Sequence, residues 1–180
     1  MKGVVFTEFL GFVSARWGED MADDIIDAQP LASGGAYTSV GTYDHREMHA
    51  LCGALAERTG LPAAGLVRDF GEHLATVFAR QHPEFFERAT HYFDFLASIE
   101  DHIHVEVRKL HPDAELPTFQ VEARTPTRLV MLYRSPRRLG ALSEGLIAGS
   151  ARRFGVQARV QTQPVEAGDG QTVRFTVDLV

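Results

Sequence analysis

Residues Ala89–Thr118 read ATHYFDFLASIEDHIHVEVRKLHPDAELPT, and the spacing of their apolar side chains predicts one long amphipathic helix. The apolar stripe consists of Leu96, Ile99, Ile103, Val107 and Leu110. The helix is expected to end where His111 meets Pro112, because a residue before proline is pushed out of the α region. His104 borders the stripe, whereas His102 points to nearly the opposite side. One histidine is therefore expected to face an apolar interior and its neighbour to face water.

A second motif, YRSPR at Tyr133–Arg137, follows the apolar run LVML. In an extended chain the side chains alternate between faces, so Tyr133, Ser135 and Arg137 project to the same side. Two hydroxyls and a guanidinium on one face suit a pair of planar carboxylates. Taken alone, the motif fits equally well a strand end followed by the basic start of a helix.

Together with the opening segment MKGVVFTEFLGFV, these two motifs resemble the heme nitric oxide/oxygen-binding (H-NOX) family in its stand-alone bacterial form. The resemblance extends over the whole chain and implies a single domain over residues 1–180. It implies an α+β fold in which N-terminal helices and a roughly four-stranded, antiparallel C-terminal sheet enclose a heme. The implied cofactor is heme b (iron protoporphyrin IX).

The resemblance also implies roles for individual residues. His104 would be the axial ligand of the heme iron, and Tyr133, Ser135 and Arg137 would bind the heme propionates. The apolar side chains implied to pack against the heme and bend it are Val5 and Pro117. The implied candidates for the gas-binding side are Phe9, Leu74, Phe78 and Leu142.

The gas preference follows from a missing donor. Oxygen-binding members of the family carry a tyrosine at the position that is Leu142 here, and a distal donor stabilises bound dioxygen. Residues 138–154 contain no tyrosine, tryptophan, histidine, asparagine or glutamine. The chain is therefore predicted to sense nitric oxide, and to bind carbon monoxide, rather than oxygen. Cys52, the only cysteine, cannot build the cysteine-rich zinc site found in some members.

Composition limits the other possibilities. The chain has 180 residues, 44% hydrophobic and 23% charged, which is ordinary for a globular protein. Its formal net charge of −6 argues against nucleic acid or an anionic membrane as the partner. The single cysteine and the lack of a long apolar run or signal segment predict a cytoplasmic protein.

The chain contains no Walker-type loop, kinase motif or cyclase motif. A sensor that is not an enzyme must signal to a separate protein. The resemblance implies a histidine kinase or a cyclic-di-GMP enzyme acting in trans, controlled by weakening or release of the histidine–iron bond and a rearrangement of heme and helices.

The remaining pattern places helices first and strands last, as an α+β fold requires. Helices are expected over residues 1–16 and 20–28, from a capping box at Asp44 and Glu47 to Gly60, and from Pro62 to Pro83. After Pro117 two strands follow, with Phe119, Val121 and Ala123 alternating in the first. A helix is expected to start at Pro136 and stop at Gly155. The chain then closes with a hairpin of residues 156–165 and 173–180 around residues 167–170.

Three alternatives remain open from the residues alone. The first is an oxygen-binding sensor of the same family. The second is a metal-dependent hydrolase that uses His102 and His104 with Glu100, Asp101 or Glu106, which requires a non-helical segment because residues two apart on a helix diverge. The third is a binding module for an apolar ligand or a protein, without heme.

Overall fold

A computed structural model describes residues 1–165 and 171–180. The chain divides into two compact units, Met1–Phe70 and Gly71–Val180. The first unit contains α1 (Gly3–Trp17), α2 (Glu19–Asp27), α3 (His45–Thr59) and the start of α4 (Ala63–Gln81), which ends in the second unit. Among the described residues, no helix is both long enough and apolar enough to cross a membrane.

The first unit is organised around aromatic side chains of α1. Phe6 stacks on Tyr37 with ring centroids 4.4 Å apart, and Phe9 meets Phe70 edge-on at 5.1 Å. At the start of α3, Asp44 Oδ1 accepts a hydrogen bond from Arg46 N over 2.9 Å, so Asp44 caps this helix.

The expected capping box at Asp44 is incomplete. Glu47 is buried and accepts hydrogen bonds from Ser33 and Tyr37 instead of returning to the helix start. Its carboxylate thereby fastens the loop before α3 to the helix, which is a tertiary role that the local pattern does not reveal.

The second unit contains four further helices and a sheet. The helices are α5 (Pro83–Glu87), α6 (Tyr92–Ala97), α7 (His104–Leu110) and α8 (Gly140–Ala151), and the strands are β1 (Thr118–Arg124), β2 (Arg128–Arg134), β3 (Ala158–Pro164) and β4 (Thr172–Leu179). The strands pair antiparallel in the order β1-β2-β4-β3. The predicted α+β class and the four-stranded antiparallel sheet are confirmed, while the expected hairpin turn at 167–170 lies outside the described residues.

The two central strands supply the buried face of the sheet. Met131 pairs with Phe175, and Leu129 pairs with Val177 across β2 and β4, and all four side chains are buried. The edge strand β1 is largely exposed, and its register shifts between Val121 and Ala123. The alternation expected for β1 is therefore interrupted by an irregularity, and Val121 faces solvent.

The predicted long helix is interrupted by a π-helical turn at Ile99–Ile103. A π turn holds more residues than an α turn, so it rotates everything after it relative to an uninterrupted helix. Leu110, expected on the buried stripe, is 65% exposed, whereas His104 is only 8% exposed. The helix does end at Leu110, just before His111 and Pro112.

The helix expected from Pro136 begins only at Gly140. Pro136 and Arg137 form a turn. Arg138, which follows it, adopts a left-handed conformation with φ of 56°, which is incompatible with a continuous α-helix. Once started, α8 packs closely on α4. A Cβ atom added to Gly71 would lie 2.4 Å from Leu142 O, and one added to Gly149 would lie 2.8 Å from Ala75 Cβ, so both glycines are needed for this approach.

Candidate functional site

His104 is the first residue of α7, directly after the π turn, and its ring is almost fully buried. Nδ1 lies 3.0 Å from Glu100 Oε2. An ionised carboxylate only accepts hydrogen bonds, so Nδ1 carries the proton and Nε2 keeps its lone pair. Burial lowers the pKa of His104, while the bond to Glu100 opposes that shift in part. The outcome is a neutral imidazole with a donor atom suited to a metal.

Glu100 lies one turn before His104 and accepts three hydrogen bonds. Its Oε2 also accepts from Phe119 N at 3.2 Å, and its Oε1 accepts from Arg108 Nη2 at 3.3 Å. Burial acts to raise the pKa of Glu100, but the bonds from His104, Phe119 and Arg108 outweigh burial and the pKa is lowered. The carboxylate is thus kept ionised beside the imidazole.

The ring of Phe119 connects His104 to the second motif. Its centroid lies 5.9 Å from the His104 ring and 5.4 Å from the Tyr133 ring. Tyr133 in turn meets Phe175 at 5.7 Å. A series of aromatic rings in contact therefore runs from the buried histidine to the end of β2.

Tyr133 is almost completely enclosed, with 1% of its surface exposed. Burial raises the pKa of its phenol, and hydrogen bonds with Ser135 and Ser143 offset that effect in part. Ser135 is buried as well: its N–H donates to Gln171 O over 2.8 Å, and its Oγ accepts from Arg137 N over 3.2 Å. The motif is therefore held at the turn between β2 and α8 by one bond to Gln171 and one bond within the motif.

Burial alternates along the motif that follows β2. Tyr133, Ser135 and Arg137 are less exposed than Arg134, Pro136 and Arg138, which alternate with them. The strand ends at Arg134, and the alternation of burial continues past it to Arg138. This arrangement presents a cation and hydroxyls together, as carboxylate recognition requires.

The gas-side candidates and the two residues expected to bend the heme, Val5 and Pro117, lie in different places. Leu74 on α4 and Leu142 on α8 are buried in the second unit, and Phe78 is half-buried against its core. Pro117, in the connection before β1, is half-buried. In the first unit, Phe9 is buried and Val5 is half-buried on α1. Contact of any of these side chains with heme stays a prediction.

His102 and His104 have different surroundings, but His102 is half-buried rather than facing water as expected. The His102 ring lies edge-on to Phe85 at 6.4 Å, whereas His104 meets Glu100 and Phe119. Within residues 1–165 and 171–180, no group of three histidine, cysteine, aspartate or glutamate side chains is placed to hold a metal ion. The donor set instead fits a heme, which brings four nitrogens of its own and needs one imidazole from the protein, with carboxylate-binding groups nearby.

Phe119 and Glu100 both contact His104, but neither is among the heme-site residues predicted from the sequence. Glu100 could have been found, because residues four apart on a helix are neighbours and a ligating histidine commonly donates its second N–H to a carboxylate. Nothing local marks Phe119, because its position depends on how β1 packs beside α7.

Comparisons with known proteins agree with this donor set. The family model described as Haem-NO-binding matches residues 2–162. The structure of the Fe(II) unliganded H-NOX protein from K. algicida has a TM-score of 0.95 and 39% identity, with 100% of this chain and 97% of that chain covered. The solution structure of the IWP-051-bound H-NOX from Shewanella woodyi in the Fe(II)CO state has a TM-score of 0.82 and 34% identity, with 100% and 95% covered.

A third similar structure shares the fold at lower identity. It is an H-NOX protein from S. oneidensis in the Fe(II)NO state, with a TM-score of 0.90, 24% identity, and coverage of 100% of this chain and 99% of that chain. A search of curated proteins found no match.

Proposed function

Since the chain belongs to the haem-NO-binding (H-NOX) family of heme-based gas sensors, we propose that it binds nitric oxide and carbon monoxide at the ferrous iron of heme b, with His104 as axial ligand. The family's cofactor is heme, which argues against the heme-free alternative and favours a sensor over the metal-dependent hydrolase. The observation that carries the proposal is the buried imidazole of His104, whose Nδ1 is committed to Glu100 and whose Nε2 is left to bind iron. When bound, heme would supply the iron that binds a diatomic gas, and His104 would hold that iron.

The propionates are assigned to the Tyr133–Arg137 motif. Arg137 supplies a charged, forked donor that matches a carboxylate. Ser135 and Tyr133 add hydroxyls whose positions are fixed by burial and by the turn that follows β2. A clamp built on a strand end and a turn would orient the cofactor relative to His104.

The proposed preference for nitric oxide and carbon monoxide rests on α8. Leu142, at the position where a donor would be needed, is apolar and buried. Ser150, a buried hydroxyl further along α8, donates from Oγ to Ile147 O over 2.8 Å. Bound dioxygen needs a donor far more than nitric oxide or carbon monoxide does, so an apolar residue at this position favours the latter two gases.

The proposed signal is release of His104. Because His104 is the first residue of α7 and follows a π turn, detachment of its ring from iron would free one end of that helix. Nitric oxide would shift the equilibrium between the tethered and the released state through its different affinity for each. Pro117, which precedes β1, is the proposed contact that keeps the cofactor strained in the tethered state. The receiver would be a histidine kinase or a cyclic-di-GMP enzyme in trans.

Optical spectroscopy of the ferrous protein tests this function. The purified protein should show a Soret band that shifts with carbon monoxide and with nitric oxide and does not form a stable oxygen complex in air. A persistent oxygen complex would replace this proposal by the oxygen-sensor alternative. Addition of each candidate partner, with and without nitric oxide, then tests the signalling step.

A further inference from the structure

We propose that Glu100 is a positioning residue that sets the strength of the bond between His104 and the heme iron, an inference that rests on His104 being the axial ligand. The contact that carries it is the 3.0 Å approach of His104 Nδ1 to Glu100 Oε2. A carboxylate that accepts the second N–H of a ligating imidazole fixes the ring and makes the ligating nitrogen more basic. Glu100 therefore strengthens the very bond whose release is the proposed signal.

The carboxylate is held independently of the histidine. The backbone N–H of Phe119, at the start of β1, donates to the same Oε2 that His104 contacts, and it does so over 3.2 Å. Because this donor is a main-chain group of a strand, it keeps Glu100 in place whether or not His104 moves. Glu100 thus acts as a fixed acceptor, with the imidazole as the mobile member of the pair.

Arg108 acts on the other oxygen and in the opposite sense. Its Nη2 lies 3.3 Å from Glu100 Oε1, and the guanidinium draws negative charge away from the carboxylate. A carboxylate relieved of this cation accepts more strongly from His104. The geometry therefore gives two neighbouring residues effects of opposite sign on one bond.

A merely structural role for Glu100 would not produce those opposite signs. Glu100→Gln keeps the shape of the side chain and an oxygen that can accept from Phe119 N, but it removes the charge. Arg108→Ala removes the cation and leaves the carboxylate. Glu106→Gln is the matched control, since Glu106 lies on the same helix and pairs with Lys109 over 2.8 Å rather than with the histidine.

Resonance Raman spectroscopy of the ferrous, unliganded heme protein measures the iron–histidine stretching frequency directly. We expect Glu100→Gln to shift this band to lower frequency, Arg108→Ala to shift it to higher frequency, and Glu106→Gln to leave it unchanged. With nitric oxide, Glu100→Gln should also raise the fraction of protein that has lost the histidine bond.

His104→Gly separates failure of this inference from failure of the proposed function. If the band vanishes in His104→Gly but is the same in Glu100→Gln as in the parent, the role of Glu100 is overturned and the axial ligand stands. Equal shifts in Glu100→Gln and Glu106→Gln would also overturn it, because a general charge effect would then suffice. A band that survives His104→Gly would overturn the axial assignment and this inference together.

Discussion

Arg137 donates a hydrogen bond from Nη2 to Glu115 Oε2 over 2.9 Å, although the arginine side chain is 14% exposed and the glutamate side chain is 79% exposed. A guanidinium this enclosed is anchored in the protein, whereas its carboxylate partner reaches in from solvent. Such an exposed partner adds little stability. Arginine presents its N–H donors in a fork that matches a carboxylate, which is the group a propionate would offer.

Arg137→Ala should therefore weaken heme retention. A hydrogen bond to a charged group contributes about 1.5–3 kcal/mol, which corresponds to a roughly tenfold to hundredfold faster loss of heme. Transfer of heme to excess apomyoglobin measures the rate. Arg134→Ala is the control, because Arg134 is exposed and on the opposite side of the motif. Equal rates for the two variants would contradict the proposed clamp.

His104→Gly should abolish the bond between iron and protein, and added imidazole should restore a ligated spectrum by filling the space that the side chain leaves. His102→Ala should leave the spectrum nearly unchanged, because the His102 ring lies against Phe85 instead. Optical titration with imidazole measures both variants. Loss of the ligated spectrum in His102→Ala alone would reverse the assignment.

The ferrous protein in air should form no stable oxygen complex. Leu142→Tyr adds a hydroxyl that can donate to partly anionic dioxygen, but a side chain fitted into a site for leucine will be imperfectly placed, so we expect partial oxygen binding. Leu142→Phe is the matched control, because it adds the ring without the hydroxyl. Oxygen binding by both variants would show that space rather than a donor decides selectivity.

Tyr92→Phe should destabilise the protein by about 0.5–1.5 kcal/mol, the typical contribution of one hydrogen bond. The buried Tyr92 hydroxyl donates to Ile147 O over 2.6 Å and so connects α6 to α8. The same carbonyl accepts from Ser150 Oγ, which limits the loss. Urea denaturation measures the change, and a cycle with Ser150→Ala should be non-additive. Strict additivity would mean that the two hydroxyls act independently.

The difference in environment between His102 and His104 illustrates what the sequence predicts well. Their relative phase depends only on the spacing of two residues, and both a π turn and an α turn place neighbours two apart in different directions. The buried environment of His104 therefore agrees with its place beside the apolar stripe. The sheet was predictable for a similar reason, because Leu129, Met131 and Tyr133 alternate on the buried face of β2.

The predictions that the structure contradicts share a different cause. The regular spacing of the apolar stripe predicts that Leu110 is buried, but the π turn changes the phase of the helix after it. No local residue preference indicates an extra residue in a helical turn. The helix start was placed at Pro136 because proline favours a first turn, but Arg138 takes a left-handed conformation that delays the helix to Gly140. The bond from Phe119 N to Glu100 joins elements that the sequence keeps 19 positions apart, so only tertiary structure reveals it.

Because of the π turn, the direction in which His104 points depends on the number of residues between Ser98 and His104. Deleting one residue there would let an ordinary α-helix form, and His104 would turn by about 100° about the helix axis and shift by about 1.5 Å along it. The chemistry of every remaining side chain would be unchanged, yet the imidazole would no longer face Phe119. Insertions and deletions should therefore be excluded from this segment, whatever residues occupy it.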